Sequence, residues 1–299
     1  MEEIIKDIER AGVRVKHHVE GAQLTTFGSG GIVSHVIYPA NVEELTITVK
    51  MLYAASLPYR VIGGGSNLLL PDEGYGVLIS LSRFDSAAVC GEFLSADAGV
   101  KLPRLARMAA EHSLSGLEFA CGIPAMLGGA VRNNAGAFGQ SISDALVAVV
   151  LLTEQGEIAS VGADELKTAY HRCFLPEGSI FLSAVFSLKT GDRREIEGRM
   201  ADMRRRRCQT QPHEPSAGSV FRRVGEIPAA VYIERTGLKG LCFGGAELSE
   251  VHCNFIVNKG GASTADYFAV AERVRESVLQ NFGVALEYEV ERICSPKKN

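Results

Sequence analysis

The spacing of apolar residues changes several times along this chain, and each change predicts a different element. The opening, MEEIIKDIERAG, is acidic and amphipathic, as a surface helix would be. NVEELTITVKMLYAA (41–55) has helical spacing, with Asn41 as N-cap and Glu44 three residues later completing a capping box. YRVIGGGSNLLL (59–70) reads as strand, tight turn, strand, and GVLISL (76–81) as a further short strand. Helical spacing returns over Lys101–Leu114, at Leu102, Leu105, Met108 and Ala109. LVAVVLLTEQGEIASV (146–161) predicts a hairpin turning at Gln155–Gly156, and the charged stretch Lys189–Pro212 a helix that stops before prolines. SAGSVF (216–221) and LCFGGAELSEVHCNFIVN (241–258) predict short strands and turns. A helix follows from the Ser263 cap, through Tyr267, Val270, Val274 and Val278, to a Gly283 stop. VALEYEVERI (284–293) alternates strictly and predicts a last strand, with Leu286, Tyr288 and Val290 on one face and Glu287, Glu289 and Glu291 on the other. Strands and helices mix without a βαβ rhythm, which favours α+β over a doubly wound sheet. The charged helix marks a domain boundary near residue 192.

Composition narrows the class without choosing a function. The 299 residues are 46% apolar and 22% charged, the pattern of an ordinary globular protein. A formal net charge of −4 argues against a general nucleic-acid or membrane binder. The acidic opening lacks the basic and apolar regions of a secretory signal, and the longest apolar run, Ala145–Leu152, is far below the ~20 residues of a membrane span. Seven scattered cysteines without a CxxC pair fit a reducing cytosol, and no HExxH or Cys/His cluster supports a metal.

Glycine is where chemistry first enters. Gly63, Gly64 and Gly65 follow an apolar strand and precede Ser66 and Asn67. Successive main-chain N–H groups in such a turn can form an anion nest, which side chains would block. The segment is not GxGxxG and does not open a helix, so a Rossmann dinucleotide site is a poor match. A glycine-rich hairpin turn is the bland reading. LEFACGIPAMLGGAVRNNAGAFGQ (117–140) is a second glycine-rich stretch, and GSGG (28–31) a third. Three loops built for close main-chain approach, all before the charged boundary, suggest one extended polar ligand with a diphosphate in its middle.

Seven segments, in order and over nearly the whole chain, resemble the UDP-N-acetylenolpyruvoylglucosamine reductase family. They are TTFGSGG (25–31), VIGGGSNLLLPDEGYGVLI (61–79), GLEFACGIPAMLGGAVRNNAGAFG (116–139), PSAGSVF (215–221), GLKG (237–240), GGAELSEVHCNFIVN (244–258) and LEYEV (286–290). The short final region resembles the compact subtype. The resemblance implies an α+β fold whose FAD-binding part is of the vanillyl-alcohol-oxidase kind. A leader helix, 1–24, would pack on it. Residues 25–192 would form two subdomains split near 90, and 193–299 a UDP-sugar domain. It implies FAD and NADPH as cofactors and reduction of UDP-N-acetylglucosamine enolpyruvate to UDP-N-acetylmuramate for peptidoglycan, by a cytoplasmic monomer without nucleic-acid or membrane partners. Cofactor contacts would come from Gly63, Gly64, Gly65, Ser66 and Asn67 of the first turn. The second stretch would add Gly122, Ile123, Pro124, Gly128, Gly129, Asn133, Ala135 and Gly136. Another flavin oxidoreductase on the same scaffold, or a catalytically impaired FAD/UDP-sugar-binding homologue, are the competing readings.

The family's catalytic roles carry over unevenly. Ser219 matches its serine proton donor, although a serine at that spot would otherwise read as a turn or strand-edge residue. Glu289 matches its glutamate, where alternation alone sees three solvated glutamates on one face. The carboxylate-binding arginine is displaced: the family reads Tyr-Arg-x-Ser, and this chain reads Tyr170-His171-Arg172-Cys173. Without a gap His171 takes the arginine position, and Arg172 falls on the opposite face of a strand. A local bulge or loop is expected to recruit Arg172, whose fork suits a carboxylate; His171 is the alternative. After SVF the family's basic residue and Asn-Pro are replaced by RRVGEIP (222–228), so an asparagine contact is missing. Tyr170, Arg207 and Lys239 match substrate-side positions, whereas His252, Asn254 and Asn258 belong to matching motifs without an assigned role.

Overall fold

The computed structural model describes residues 1–169 and 171–294. The helices are α1 (Glu2–Arg10), α2 (Val42–Ala54), α3 (Leu102–Glu111), α4 (Leu127–Arg132), α5 (Arg193–Thr210), α6 (Ala229–Glu234) and α7 (Thr264–Phe282). Chain contacts divide the molecule into two compact units, each assembled from separated segments. The first comprises Met1–Lys16, Val36–Gly64 and Leu78–Arg207; the second comprises His17–His35, Gly65–Val77 and Cys208–Asn299. The sequence suggested three consecutive stretches with a break near 192. The charged helix α5 instead lies almost wholly in the first unit, and the second draws in two short segments from the N-terminal third.

The first unit contains a five-stranded antiparallel sheet ordered Ile158–Gly162, Leu146–Leu152, Ile180–Ser187, Phe93–Asp97, Ala87–Cys90. Leu146–Leu152 does not keep the period of two. Register shifts at Leu146/Ala148 and Val150/Leu151 let Leu146, Val149, Leu151 and Leu152 all reach the interior. Its hairpin partner follows the predicted turn, where Gly156 supplies the left-handed backbone (φ 81°). The predicted helix over 101–114 ends at Glu111, because Ser113 (φ 58°) reverses the chain and Leu114–Ser115 pairs with Lys189–Thr190. In α2 the Asn41 side chain accepts the Glu44 N–H at 2.8 Å, as predicted. The Glu44 carboxylate reaches past the cap to the Ala40 N–H (2.7 Å), so the box closes one residue early.

The second unit has a four-stranded antiparallel sheet ordered Ser216–Ser219, Phe255–Asn258, Ala246–Leu248, Cys242–Phe243, covered by α7. Helix α7 starts at the predicted Ser263 cap, in a reciprocal box with Asp266, and stops at Gly283 in the left-handed conformation. Its stripe of Tyr267, Val270, Ala271, Val274 and Val278 is buried against Phe27, Phe221 and Ile256. The predicted last strand keeps its alternation, with Leu286 and Val290 buried and Glu287 exposed. It is not one strand, because its pairing is split. Tyr288 bridges Phe221, and only Glu291–Arg292 forms a ladder, parallel to Leu68–Leu69.

One ion pair in the first unit fixes the approach to the second glycine-rich stretch. Glu118, 4% exposed, accepts from the Ser115 hydroxyl, the Gly116 N–H and the Arg199 guanidinium, each at 2.7 Å. Burial pushes its carboxyl up, but the bonds from Arg199, Ser115 and Gly116 outweigh this and hold it below the usual glutamate range. Arg199 is 43% exposed on its side, so solvent screens part of the attraction. Arg199→Ala is expected to cost about 1–3 kcal/mol at pH 7, chiefly by leaving a buried carboxylate short of a donor. A depressed folded-state value stabilises above the unfolded glutamate range and is lost as pH falls through the folded one. The gap in urea midpoint between wild type and Arg199→Ala should therefore be full at pH 7 and close below about pH 4; a gap independent of pH would contradict this account.

Candidate active site

The strand Tyr59–Ile62 delivers the chain into the glycine turn. The three glycines there are not equivalent. Gly65 has φ 65°, and a side chain on it would collide with the Leu24 carbonyl and the Thr25 main chain, so the fold itself requires that glycine. Gly63 and Gly64 have no left-handed backbone. A side chain on either would meet only Met126, at an ordinary 3.6 Å. Nothing in the chain's own packing demands glycine at 63 or 64. Their bare faces lie where the first unit also brings Met126, from the second glycine-rich stretch.

That second stretch is pinned from behind. Ala125 O accepts from Leu102 N (2.9 Å), and Leu127 and Gly128 donate to Val100 O (2.8 Å) and Ala98 O (2.9 Å). Gly122 is half-buried under Arg207, whose Cδ would stand 2.7 Å from an added Cβ. Half-buried Ile123 and exposed Pro124 follow it. Gly128 packs on Phe181 and Ala98 (3.3 and 3.4 Å), while Gly129 has open space. Asn133 ends α4, and Ala135 N donates to Ala130 O (2.8 Å). Gly136 lies against Gln140 O in a small hairpin, so its lack of a side chain serves the fold. The third cluster, GSGG, is likewise explained by the chain itself. Gly30 meets Leu70, Gly31 meets Asp72 and Gly74, and the Ser29 hydroxyl bonds Thr264 of α7 at 2.8 Å. The chain's own packing accounts for Gly30 and Gly31 of the third cluster but not for Gly63, Gly64 and Gly129 of the other two.

The first unit also holds the carboxylate-binding candidates, on a hairpin of Lys167–Ala169 and Arg172–Phe174. Its ladder steps evenly through Lys167↔Phe174, Thr168↔Cys173 and Ala169↔Arg172, without the expected bulge. Arg172 keeps an exposed strand position, its guanidinium 6.0 Å over the Phe174 ring, while Cys173 turns inward. His171 sits in the turn with a left-handed backbone (φ 51°). Tyr170 lies outside the described residues.

In the second unit, Ser219 closes the strand Ser216–Ser219 after a bulge at Gly218 (φ 78°). Its continuation, Val220–Arg222, runs antiparallel to Glu287–Glu289. Glu289 N donates to Val220 O (2.8 Å), and Arg222 N to Glu287 O (2.9 Å). Ser219 and Glu289 thus lie on adjacent main-chain runs, and Glu289 is half-buried where Glu287 is exposed. The glycine turn is tied to the same place. Asn67 Nδ2 donates to Glu289 O (3.2 Å), and Glu291 N donates to Asn67 O (2.9 Å). Thr26 N donates to Gly65 O (3.0 Å) and its hydroxyl to Ser216 O (2.7 Å), while Ser66 O lies 3.8 Å from where a Gly218 side chain would begin.

Two asparagines without an assigned role turn out to be braces. Asn254, 6% exposed, accepts from Phe221 N (3.0 Å) and donates to Phe221 O (2.9 Å). Asn258 donates to Phe27 O (2.9 Å) and accepts from Gly260 N (2.9 Å). The signal was an amide inside the apolar run HCNFIVN, which must find partners once buried. Lys239 lies after α6, paired with Glu234 at 2.8 Å, and that carboxylate holds its ammonium above the usual lysine range. Burial first, then the same carboxylate, pushes the Cys253 thiol up to about 11. Among the described residues no group of three or more His, Cys, Asp or Glu could hold a metal.

Comparison with known proteins places these features in one family. Residues 211–293 match the UDP-N-acetylenolpyruvoylglucosamine reductase C-terminal domain, and 33–162 an FAD-binding domain. The UDP-N-acetylenolpyruvoylglucosamine reductase of Carboxydothermus hydrogenoformans is 42% identical over 90% of this chain and 91% of its own. That of Agathobacter rectalis is 42% identical over 90% of each. The crystal structure of the Thermus caldophilus enzyme superposes with a TM-score of 0.82 at 37% identity, covering 95% of this chain and 100% of that one. A berberine bridge enzyme variant shares the fold alone, with a TM-score of 0.50 at 16% identity over 64% of this chain and 44% of its own. These matches establish that the chain belongs to the UDP-N-acetylenolpyruvoylglucosamine reductase family.

Proposed function

We propose that Ser219, Glu289 and Arg172 carry out the substrate half of the reaction of this FAD-dependent oxidoreductase, the NADPH-driven reduction of UDP-N-acetylglucosamine enolpyruvate to UDP-N-acetylmuramate. The observation that carries the reading is the Glu289 N–Val220 O bond, which sets two residues distant in sequence on adjacent runs. FAD, when bound, carries two electrons from NADPH to the enolpyruvyl double bond. The residues present fit that cofactor, since Gly63, Gly64 and Gly129 offer main chain that no side chain covers. Main-chain N–H groups there would hold its diphosphate, each charged hydrogen bond contributing about 1.5–3 kcal/mol. Ser219 Oγ gives its proton to the substrate carbon beside the carboxylate. The Glu289 carboxyl, kept on the neighbouring run by Asn67 and Val220, acts in its protonated form, donating its O–H to the charge that gathers on that carboxylate as the bond is reduced.

Arg172 grips the carboxylate with its planar fork; its exposed, evenly paired strand position leaves the guanidinium available. Arg207 and Lys239 are assigned to the diphosphate of the nucleotide sugar, and Tyr170 to the substrate side on the family pattern alone. All roles are supplied by one chain, in keeping with a monomer. The cysteines are free thiols, which supports a reducing cytoplasmic setting. Among the described residues no helix is long and apolar enough to cross a membrane.

Four variants test these assignments. Gly64→Val should fold normally, because the backbone there is unstrained, yet lose the yellow colour on purification; a fully yellow Gly64→Val protein would rule out the cofactor role of that turn. Ser219→Ala should be reduced by NADPH at the wild-type rate in stopped-flow spectra. Its reoxidation by the enolpyruvyl sugar should slow about 10²–10⁴-fold, and equal damage to both halves would refute the proton-donor role. Arg172→Gln should lower kcat/KM for the sugar about 10–100-fold, with His171→Asn within a few-fold of wild type. The opposite ranking would transfer the carboxylate to His171.

A further inference from the structure

A cleft of about 380 Å³ opens in the first unit between α3 and α5. Its floor is made by Ala110, Cys121 and Met200, all at least 94% buried. Its walls are charged, and the charges are unevenly satisfied. At one end Arg193 is bonded to Glu197 at 2.8 Å and also feels Glu111. Arg107 of α3 and Arg204 of α5, which also line it, make no ion pair or hydrogen bond among the described residues. Elsewhere on α5, Arg199 is bound to Glu118 and Arg205 to Asp202, each at 2.7 Å. The cleft therefore combines an apolar floor with three guanidinium groups against the two carboxylates Glu111 and Glu197, and Arg107 and Arg204 are bonded to neither.

We propose that this cleft binds a small organic phosphate, with its phosphoryl group between Arg107 and Arg204 and its apolar body on Ala110, Cys121 and Met200. Two guanidinium forks suit the charge of about −1.5 to −2 on a phosphomonoester at neutral pH, and their planar donors match its oxygens. Two carboxylates, Glu197 and Glu111, also line the cleft; Glu197 is engaged with Arg193, and Glu111 faces the same guanidinium. The cavity lies within the size range of small-molecule sites. Its occupancy would be felt at the cofactor loop, because Cys121 precedes Gly122 and Arg204 Cγ lies 3.9 Å from where a Gly122 side chain would begin. The inference does not depend on the catalytic assignments above.

The test uses the FAD-loaded protein labelled with [methyl-¹³C]methionine, the Met200 signal being identified with Met200→Leu. Phenyl phosphate is titrated as the organic probe and inorganic phosphate as the bare anion. The Met200 methyl is expected to shift and saturate with phenyl phosphate in the millimolar range, with inorganic phosphate binding more weakly. Arg107→Gln and Arg204→Gln, both at exposed positions, should each weaken phenyl phosphate about tenfold or more, whereas Arg194→Gln should leave it unchanged. An unmoved Met200 signal up to about 20 mM, or wild-type affinity in both arginine variants, would overturn the site. Equal affinity for the two probes would overturn the organic body and leave a simple anion site.

Discussion

A main chain that ends a sheet must still find partners for its polar groups, and the second unit meets this demand with side-chain amides. Ser216–Ser219 is an edge strand, so the run after it, Val220–Arg222, has a sheet neighbour on one side only. Glu287–Glu289 supplies the other, through Val220 O and Arg222 N. Buried Asn254 satisfies both Phe221 groups at once, and Asn67 donates to the carbonyl of Glu289. Buried amides left unpaired cost roughly 1–3 kcal/mol each, so this arrangement is specified and not merely allowed. It is also what holds a serine and a glutamate on neighbouring runs. The same bonds that finish the sheet therefore place the two residues proposed to act on the substrate.

The pieces that were legible in the sequence are those whose cause is local. The Asn41 and Ser263 caps, the Gly283 stop and the Gly156 turn each depend on a few neighbouring residues, and each appears where the pattern put it. Ser219 and Glu289 were legible only through family resemblance, since a serine near a bulge and one glutamate of three carry no periodic signal. What stayed hidden has a nonlocal cause. VALEYEVERI alternates like a strand but divides its bonding between Phe221 and Leu68–Leu69, distant in sequence from it and from each other. The early end of α3 depends on Lys189–Thr190 claiming Leu114–Ser115. The charged helix looked like a boundary because its surface is polar, yet Ile196 and Met200 bury a thin stripe of it in the first unit.

Glycine illustrates how far composition can mislead. GSGG is as rich in glycine as GGGSN, and both lie beside apolar strands. In GSGG, added side chains at 30 and 31 would strike Leu70, Asp72 and Gly74, and the loop's Ser29 bonds the start of α7. That loop is glycine-rich because two parts of the chain pass too close for anything else. In GGGSN the same test separates neighbours: Gly65 is demanded by Leu24 and Thr25, whereas Gly63 and Gly64 are not demanded by any part of the chain. A glycine costs roughly 0.5–1 kcal/mol relative to alanine in regular structure, and one that its own fold does not require points to a molecule other than the protein. By that measure residues 63 and 64 carry more functional information than the more crowded residues around them.

The charged groups follow a complementary logic. An anion can be met by main-chain N–H groups, which are fixed but carry only partial charge, or by guanidinium, which is fully charged but flexible. The open glycines use the first means, and a cofactor that stays bound suits a rigid cradle. In the role proposed for it, Arg172, on an exposed hairpin position, uses the second, as suits a carboxylate that must enter and leave with every turnover. The displaced arginine of this chain is intelligible in those terms. The turn at His171 is left-handed, a conformation that costs a β-carbon-bearing residue energy. Arg172 follows on an evenly paired strand, whose regular backbone holds the guanidinium stem without that strain. The position next in sequence thus offers the better-supported platform for a cation that must hold one geometry while its ligand changes.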